Sequence, residues 1–297
     1  MSERLNKCPL CKSGLFLNHS EIKDFAVSGE TFVICKCQSC DLLFTNPRPK
    51  QSEINPYYDF QEYYSHKDES KSFTGYIYNQ VRKLNIKQKL KLINKLHNKG
   101  KLLDYGCGTA EFLQAAKEDG WKVKGLEPND KARALSNIKL PNKIVGELEE
   151  LKNSQKFDVI TLFHVLEHIH KLRKTLKKLI TILNTDGYII IAVPNPESPD
   201  AKLYGQNWAG WDVPRHLYHF NEKSIQTLCK EFDLEIKEKK PMKFDSYYVS
   251  LLSEKYKNPN QGLIKNYLKA FINGMKSNLK AKKEINYSSN LFILQKK

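Results

Sequence analysis

The chain has 297 residues and carries 49 Lys and Arg against 33 Asp and Glu, a formal net charge of +16. This length suits one large domain with a small one, and the basic balance admits nucleic acid, an anionic membrane surface or phosphorylated compounds as partners. No signal peptide and no apolar run near ~18 residues is present, which disfavours secreted and membrane-spanning classes, so we expect a cytoplasmic protein.

The N-terminal residues 1–46 carry five of the seven cysteines. Four of them form two C-x-x-C pairs, Cys8 with Cys11 and Cys37 with Cys40. Each pair presents two thiolates from a tight turn, and two such turns complete a closed four-sulfur zinc site. Strand-like segments at 14–17 and 31–35 would supply a hairpin, so the spacing predicts a structural zinc ribbon. Free buried thiols are the alternative, and Cys35 is surplus to the site.

Residues 47–79 are rich in Tyr, Pro, Asp and Ser, including Tyr57, Tyr58, Tyr63 and Tyr64. We interpret them as a linker that packs its aromatic residues onto the next domain, or as a lid over an active site. The helix predicted over 81–99 carries seven basic residues and no acidic ones. Its basic side is either a solvated face or a phosphate-binding face.

Residues 101–127 are predicted to form a strand, a glycine turn, a helix and a second strand that ends at Glu127. Gly106 and Gly108 allow a tight turn and the close approach of a ligand. A carboxylate about 20 residues after such a turn is where a dinucleotide fold holds a ribose diol. Asp104 and Glu111 add negative charge, which disfavours a pyrophosphate and suits a cationic ligand. For the glycines alone, a turn without a ligand is the alternative.

This stretch resembles the glycine-rich motif of class I S-adenosylmethionine-dependent methyltransferases, whose cofactor carries a sulfonium and an ammonium. The segment 157–194 resembles the same family, in the branch that includes the ubiquinone-biosynthesis O-methyltransferase. The likeness covers roughly residues 80–297. It implies a cofactor-binding set of Asp104, Gly106, Gly108, Glu127, Pro128, Glu147, Phe163 and His164. A zinc ribbon joined to this fold resembles bacterial methyltransferases of sugar and envelope-polysaccharide pathways.

A buried strand predicted over 157–162 leads into a helix predicted from Val165 to Leu183. Open parallel sheets bind ligands at the carboxyl ends of their strands, so His164 and His168 are expected near the cofactor. A histidine can take up a proton near neutral pH. The alternative is that Glu167 and His168 form a structural pair that caps local backbone.

The long segment 195–220 is dense in aromatic residues, which is typical of a small-ligand pocket wall. We predict acceptor contacts from Trp208, Trp211, Arg215 and Tyr218. The candidate bases are His168, His216 and His219. The alternative is a packed aromatic lid. No metal site is expected among these histidines, because the sequence shows no clear third ligand.

A helix over 222–232, a strand over 234–237, a lysine-rich helical insertion at 241–285 and a last strand over 289–295 complete the chain. We expect an α/β fold: a Rossmann-like seven-stranded, mostly parallel sheet with helices on both faces, preceded by the zinc ribbon. The expected function is S-adenosylmethionine-dependent methyl transfer to a small-molecule or sugar-type acceptor, on oxygen before carbon or nitrogen. The alternatives are an RNA methyltransferase that uses the basic surface and the ribbon, and a non-catalytic binding module.

Overall fold

A computed structural model of the protein describes residues 2–58 and 73–297. The middle of the predicted linker or lid, with Tyr63 and Tyr64, lies outside the described residues. Within those ranges no helix is both long enough and apolar enough to cross a bilayer.

The N-terminal region is a small β structure. Its strands are β1 (Ser2–Glu3), β2 (Phe16–Lys23), β3 (Thr31–Cys37), β4 (Leu43–Thr45) and β5 (Arg48–Pro49). β2 and β3 pair antiparallel from Phe16 opposite Cys37 to Lys23 opposite Thr31, which is the hairpin that the sequence predicts. β1 pairs with β5 beside this hairpin.

The second part of the chain forms a seven-stranded sheet. Five of its strands are parallel: β6 (Lys101–Tyr105), β7 (Lys122–Leu126), β8 (Ile144–Val145), β9 (Phe157–Phe163) and β10 (Leu183–Pro194). The seven-stranded sheet is completed by β12 (Leu234–Pro241) and β13 (Ser289–Lys296), whereas β11 (Tyr218–His219) belongs to a different sheet. The order is β12-β13-β10-β9-β6-β7-β8, and β13 runs antiparallel to both of its neighbours.

Helices lie on both faces of this sheet. They are α1 (Phe73–Leu96), α2 (Glu111–Glu118), α3 (Asp130–Lys139), α4 (Leu172–Ile182), α5 (Pro199–Tyr204), α6 (Glu222–Glu231), α7 (Asp245–Lys257) and α8 (Leu263–Ala281). Successive residues of a strand point to opposite faces, so Val159 and Ile160 of β9 enter two different apolar clusters. A central strand buried on both faces therefore reads as a continuous apolar run.

The predicted helix from Val165 to Leu183 is wrong at its start. Leu166–His168 is a single 3₁₀ turn, Ile169 is extended, and α4 begins only at Leu172. The carbonyl of Glu167 accepts the N–H of Leu217 at 2.8 Å, so this segment hydrogen-bonds to the chain near β11 rather than continuing as a helix. His168 therefore lies on a turn between β9 and α4.

A strand from the aromatic segment joins the N-terminal sheet. β11 pairs antiparallel with β4, which gives the order β11-β4-β3-β2. Thr45 reinforces this contact by donating from Oγ1 to the carbonyl of His216 at 2.9 Å. The N-terminal region and the segment before α6 consequently form one structural unit, a contact that the sequence does not indicate.

Candidate active site

The turn after β6 contains two glycines whose backbone is in the left-handed region, Gly106 at φ +73° and Gly108 at φ +54°. A Cβ at Gly106 would lie 2.5 Å from Cγ2 of Val165, so a larger residue does not fit there. At Gly108, by contrast, an added Cβ would meet no atom within 4 Å. The turn therefore presents bare backbone to open space, as a close-lying ligand requires.

Glu127 ties this turn to the end of the neighbouring strand β7. Its side chain accepts the N–H of Gly108 at 2.8 Å and the N–H of Asn129 at 2.9 Å, and the residue is buried. A carboxylate has about four lone-pair directions, so each oxygen can accept one further hydrogen bond. The geometry suits a pair of ribose hydroxyls.

A cavity of about 260 Å³ lies beside the turn. Asp104 and Phe163 line one side, and Arg82 and Lys89 of α1 line the other. Nζ of Lys89 lies 3.9 Å from the ring centroid of Phe163, and the charges of Lys89 and Asp104 attract each other. Phe163 and Asp104 thus give the cavity an aromatic face and a carboxylate, two groups that attract a cation such as a sulfonium or ammonium, and Lys89 lies against the same ring.

The contribution of α1 to this cavity is a finding that the sequence did not supply. Arg82 forms an ion pair with Glu111, the first residue of α2, and Lys89 reaches Asp104 at the end of β6. The sequence did predict a helix here whose charged residues are all basic. It gives no indication, however, of which of these residues face the cavity and which face solvent.

The burial of Asp104 raises its pKa to about 6, although Thr161 donates a hydrogen bond to it at 2.6 Å. If Asp104 contacts a cationic cofactor, as the family resemblance implies, its carboxylate would attract that cofactor above this pKa and would lose its charge below it. We expect the dissociation constant of S-adenosylmethionine to rise up to about tenfold for each pH unit below 6, measured by titration calorimetry. Asp104→Asn should bind more weakly and show a flat profile there; a sloping profile in that variant would assign the titration to another group.

Four side chains gather where β9 ends, those of His164, Glu167, His216 and Asp245. His164, at φ +58°, places Nε2 at 3.0 Å from Asp245 and Nδ1 at 3.7 Å from Glu167. Burial disfavours a charge on His164, but these two carboxylates outweigh it and raise its pKa to about 10. His164 is therefore a cation at neutral pH. Its partner Asp245 begins α7, more than 80 residues further along the chain.

His216 stands on the other side of Glu167. Its Nδ1 lies 3.0 Å from the carbonyl of Gly210, and a carbonyl only accepts, so Nδ1 carries the hydrogen and Nε2 is left as an acceptor. That Nε2 lies 4.0 Å from Glu167 and 3.8 Å from Asp212. Glu167 is 1% exposed, and in the described part of the chain neither of its oxygens has a hydrogen-bond partner. A proton on Nε2 would be stabilised by both carboxylates.

The expectation that these histidines lack a third ligand is wrong. Glu167, His168 and His216 each offer one ligand atom, and the three atoms lie within 4.8 Å of one another. Ligands of one zinc ion lie about 3.4 Å apart, given bonds of about 2.1 Å. The 4.0 Å between His216 Nε2 and Glu167 is wider than that and is also longer than a hydrogen bond.

The comparisons with known proteins identify the family. Residues 78–239, more than half of the chain, match the methyltransferase domain family. The chain belongs to that family. It is an S-adenosylmethionine-dependent methyltransferase, which confirms the resemblance seen in the sequence.

Two relatives of this methyltransferase are named ubiquinone biosynthesis O-methyltransferase. The protein of Rickettsia canadensis is 24% identical over 162 residues, which cover 50% of this chain and 68% of the relative. The protein of Haemophilus ducreyi is 28% identical over 175 residues, 52% of this chain and 72% of the relative. A solved S-adenosylmethionine-dependent methyltransferase from Archaeoglobus fulgidus is 17% identical, with a TM-score of 0.47 over 72% of this chain and 94% of that one.

The rings of the other two histidines that the sequence offered as bases lie close to the ring of His216. In this methyltransferase burial and the nearby His216 lower the pKa of His168 to about 4, and its Nδ1 lies 3.0 Å from the carbonyl of Arg215. His219 is buried in β11 against Trp211, and burial lowers its pKa well below the ordinary value. Both are weak bases in this structure, and their catalytic role stays a prediction.

The four predicted acceptor contacts are buried, and each has an internal hydrogen-bond partner. Trp208 donates to Asp200, Trp211 to the carbonyl of Gly205, Arg215 to Asp212 and Asp24, and Tyr218 to the carbonyl of His170. Three of these bonds lie within the aromatic segment of the methyltransferase, whereas the bond from Arg215 to Asp24 joins it to the N-terminal region and the bond from Tyr218 joins it to the turn before α4. They account for the aromatic residues without an acceptor, so the acceptor contacts stay a prediction.

Two predicted cofactor contacts lie at the surface of the methyltransferase. Pro128 directly follows Glu127 and is exposed. Glu147 follows β8, is also exposed, and caps the 3₁₀ turn Leu148–Glu150 with its side chain. Their positions after two neighbouring parallel strands are compatible with the cofactor contacts implied by the family, which stay predictions.

The four cysteines of the two C-x-x-C pairs come together at the base of the N-terminal hairpin. Sγ of Cys8 lies 3.6 Å from Sγ of Cys40, and Sγ of Cys11 lies 3.6 Å from Sγ of Cys37. Four sulfurs on one zinc ion lie about 3.8 Å apart, given Zn–S bonds of about 2.3 Å. Cys35 is outside this cluster and approaches the carbonyl of Asn46 at 3.8 Å. The cluster has the donors and the spacing of a four-thiolate zinc site.

Proposed function

We propose that this methyltransferase methylates a hydroxyl oxygen of a small-molecule or sugar-type acceptor, with His216 as the base. The observation that carries this proposal is the position of His216, whose Nε2 is free to accept a proton between Glu167 and Asp212. The names of the two O-methyltransferase relatives support oxygen as the methylated atom.

The cofactor would be held by the cavity beside the glycine turn. Glu127 would bind the ribose hydroxyls, and Asp104 with Gly106 and Gly108 would frame the methionine part. When bound, S-adenosylmethionine supplies a methyl group that is already activated as a sulfonium. The main task of the protein is therefore to position the acceptor oxygen, since orientation alone accounts for much of such a rate enhancement.

His216 would take the proton of the acceptor hydroxyl as the new bond to oxygen forms. The imidazolium that results is stabilised by the carboxylates of Glu167 and Asp212, and the carbonyl of Gly210 keeps the ring in one orientation. His168, whose pKa is lowered to about 4, would orient the acceptor hydroxyl rather than accept its proton. His164 is already a cation and would not act as a base at neutral pH.

The acceptor is best found by a mass-spectrometric screen. The enzyme would be incubated with S-adenosylmethionine carrying an isotopically labelled methyl group and with pools of hydroxylated metabolites, sugars and sugar nucleotides. We expect the label on an oxygen of one acceptor class. Label on a carbon or a nitrogen, or on RNA in a parallel incubation, would contradict the proposed O-methylation.

With the acceptor in hand, His216→Ala is expected to lower kcat about 100-fold while cofactor affinity stays within about twofold. The loss should shrink as pH rises, because the acceptor hydroxyl then ionises without help. His219→Phe is the control, since His219 is buried in β11, and its kcat should change much less. If His168, His216 and His219 can all be replaced with full activity kept, these side chains do not remove the proton.

We further propose that Cys8, Cys11, Cys37 and Cys40 hold a structural zinc ion. Their sulfur spacing supports this, and a closed four-thiolate site leaves no position open for catalysis. The proposed domains are the ribbon at 1–46, the linker or lid at 47–79, and the catalytic domain at 80–297 with insertions at 195–220 and 241–285. Strand β11 from the first insertion supports the ribbon as part of its sheet.

A further inference from the structure

Helix α8 has its apolar face turned toward solvent. Leu263, Ile264, Leu268, Phe271 and Leu279 are between 59% and 86% exposed. The residues that α8 buries are small or polar: Asn266, Ala270, Gly274, Ser277 and Ala281. A surface helix of a globular protein ordinarily buries its apolar stripe, so α8 is arranged the opposite way.

The inward side of α8 explains this arrangement. A Cβ at Gly274 would lie 3.0 Å from the backbone of Tyr247, so α8 and α7 are in close contact there. Oγ of Ser246 donates to the carbonyl of Gly274 at 3.3 Å, and α7 also buries Ser250 and Ser253. Small residues let two helices approach closely, and the large apolar side chains are then left on the outside.

The exposed apolar residues form one continuous stripe. Ile264, Leu268, Phe271, Met275 and Leu279 follow each other at intervals of four, three, four and four residues, which places them along one side of the helix. From Ile264 to Leu279 the stripe is about 22 Å long at 1.5 Å per residue. This is too continuous for scattered surface residues and marks a contact surface.

The charge beside the stripe indicates what contacts it. Lys265, Lys269, Lys276 and Lys280 lie along its flank at helical spacing, and residues 263–283 contain six lysines and no acidic residue. Anionic phospholipid head groups complement such a flank, because each lysine near the surface is attracted to their negative charge. A second copy of the chain would instead bring two sets of lysines together, and like charges across an interface are unfavourable.

We propose that α8 docks this enzyme onto an anionic membrane surface, lying in the plane of the interface with its apolar stripe among the acyl chains and its lysines at the head groups. α8 packs on α7, whose first residue Asp245 pairs with His164 at the active site. The docking face is thus one helix away from the catalytic cluster. The proposal concerns where the enzyme binds and does not depend on the identity of the acceptor.

The test is co-sedimentation of the full chain with vesicles. We expect binding to phosphatidylcholine vesicles that contain phosphatidylglycerol, and at least tenfold weaker binding to phosphatidylcholine alone. The double variant Leu268→Gln/Phe271→Gln should bind anionic vesicles at least tenfold more weakly, and Lys269→Gln/Lys276→Gln should lose most of the preference for anionic lipid. Unchanged melting temperatures would show that these surface variants are folded.

The matched control is Leu135→Gln/Ile138→Gln on α3, which removes two exposed apolar residues at the same spacing, 41% and 77% exposed. This variant should bind vesicles like the unaltered protein. Equal binding by the Leu268/Phe271 variant, or no binding to anionic vesicles at all, would overturn the proposal. So would light scattering that shows a dimer which the Leu268/Phe271 variant dissociates, because the stripe would then be an interface between two copies.

Discussion

Cys8→Ala is expected to abolish zinc binding and to unfold the N-terminal ribbon. Structural zinc sites contribute about 10–16 kcal/mol of apparent binding free energy in small zinc-binding peptides. The effect should extend beyond the ribbon, because β4 pairs with β11 and His216 lies just before β11. We expect a metal content near zero, loss of the near-UV circular dichroism of the aromatic segment, and a lower melting temperature.

Cys35→Ala provides a closely matched control for this variant. Cys35 and Cys8 are both buried thiols of the same small region, at 2% and 1% exposure, but only Cys8 belongs to the four-sulfur cluster. Cys35→Ala should keep one zinc ion per chain and lose only the modest stability of a small cavity, about 1 kcal/mol. Full zinc content in Cys8→Ala, or equal zinc loss in both variants, would show that the ion is held in another way.

Glu127→Ala is expected to weaken S-adenosylmethionine binding about 100-fold, by about 3 kcal/mol. The substitution removes the carboxylate that would bind both ribose hydroxyls. It also releases the N–H groups of Gly108 and Asn129, which Glu127 holds at 2.8 and 2.9 Å, so the glycine turn loses its tie to β7. Titration calorimetry would measure the change.

The control for this variant is Glu118→Ala at the end of α2, an exposed carboxylate of the same helix–strand unit whose side chain accepts a hydrogen bond from Gln114. It should leave the dissociation constant within about twofold. Wild-type affinity in Glu127→Ala would show that the ribose is bound elsewhere, and the orientation proposed for the cofactor would have to be abandoned.

The features that the sequence predicted well are those carried by short-range spacing. The strand, the turn with Gly106 and Gly108, and Glu127 all fall within one βαβ unit, so their order along the chain is also their arrangement in space. The two C-x-x-C pairs behave in the same way, since each pair is one tight turn. The seven-stranded, mostly parallel sheet followed from the family that these motifs resemble.

The features that were missed depend on contacts between distant parts of the chain. His164 meets Asp245, and Glu167 meets His216, through the packing of α7 and of the segment before β11. β11 has only two residues, too few for any periodic pattern, so its pairing with β4 left no trace in the sequence. The basic residues of α1 likewise give no local sign of which side chain faces the cavity.

The shared sheet of the ribbon has a consequence for engineering chimaeras between members of this family. Exchanging only the first 46 residues would replace β4, the partner of β11, and would also separate Arg48 from its own partner Glu3 in β1, although Arg48 donates to Tyr218 at 2.9 Å. A swap that carries residues 1–49 together with the aromatic segment 195–220 would take both sides of this contact from one parent. Chimaeras within this family should therefore fold when these two segments are exchanged together.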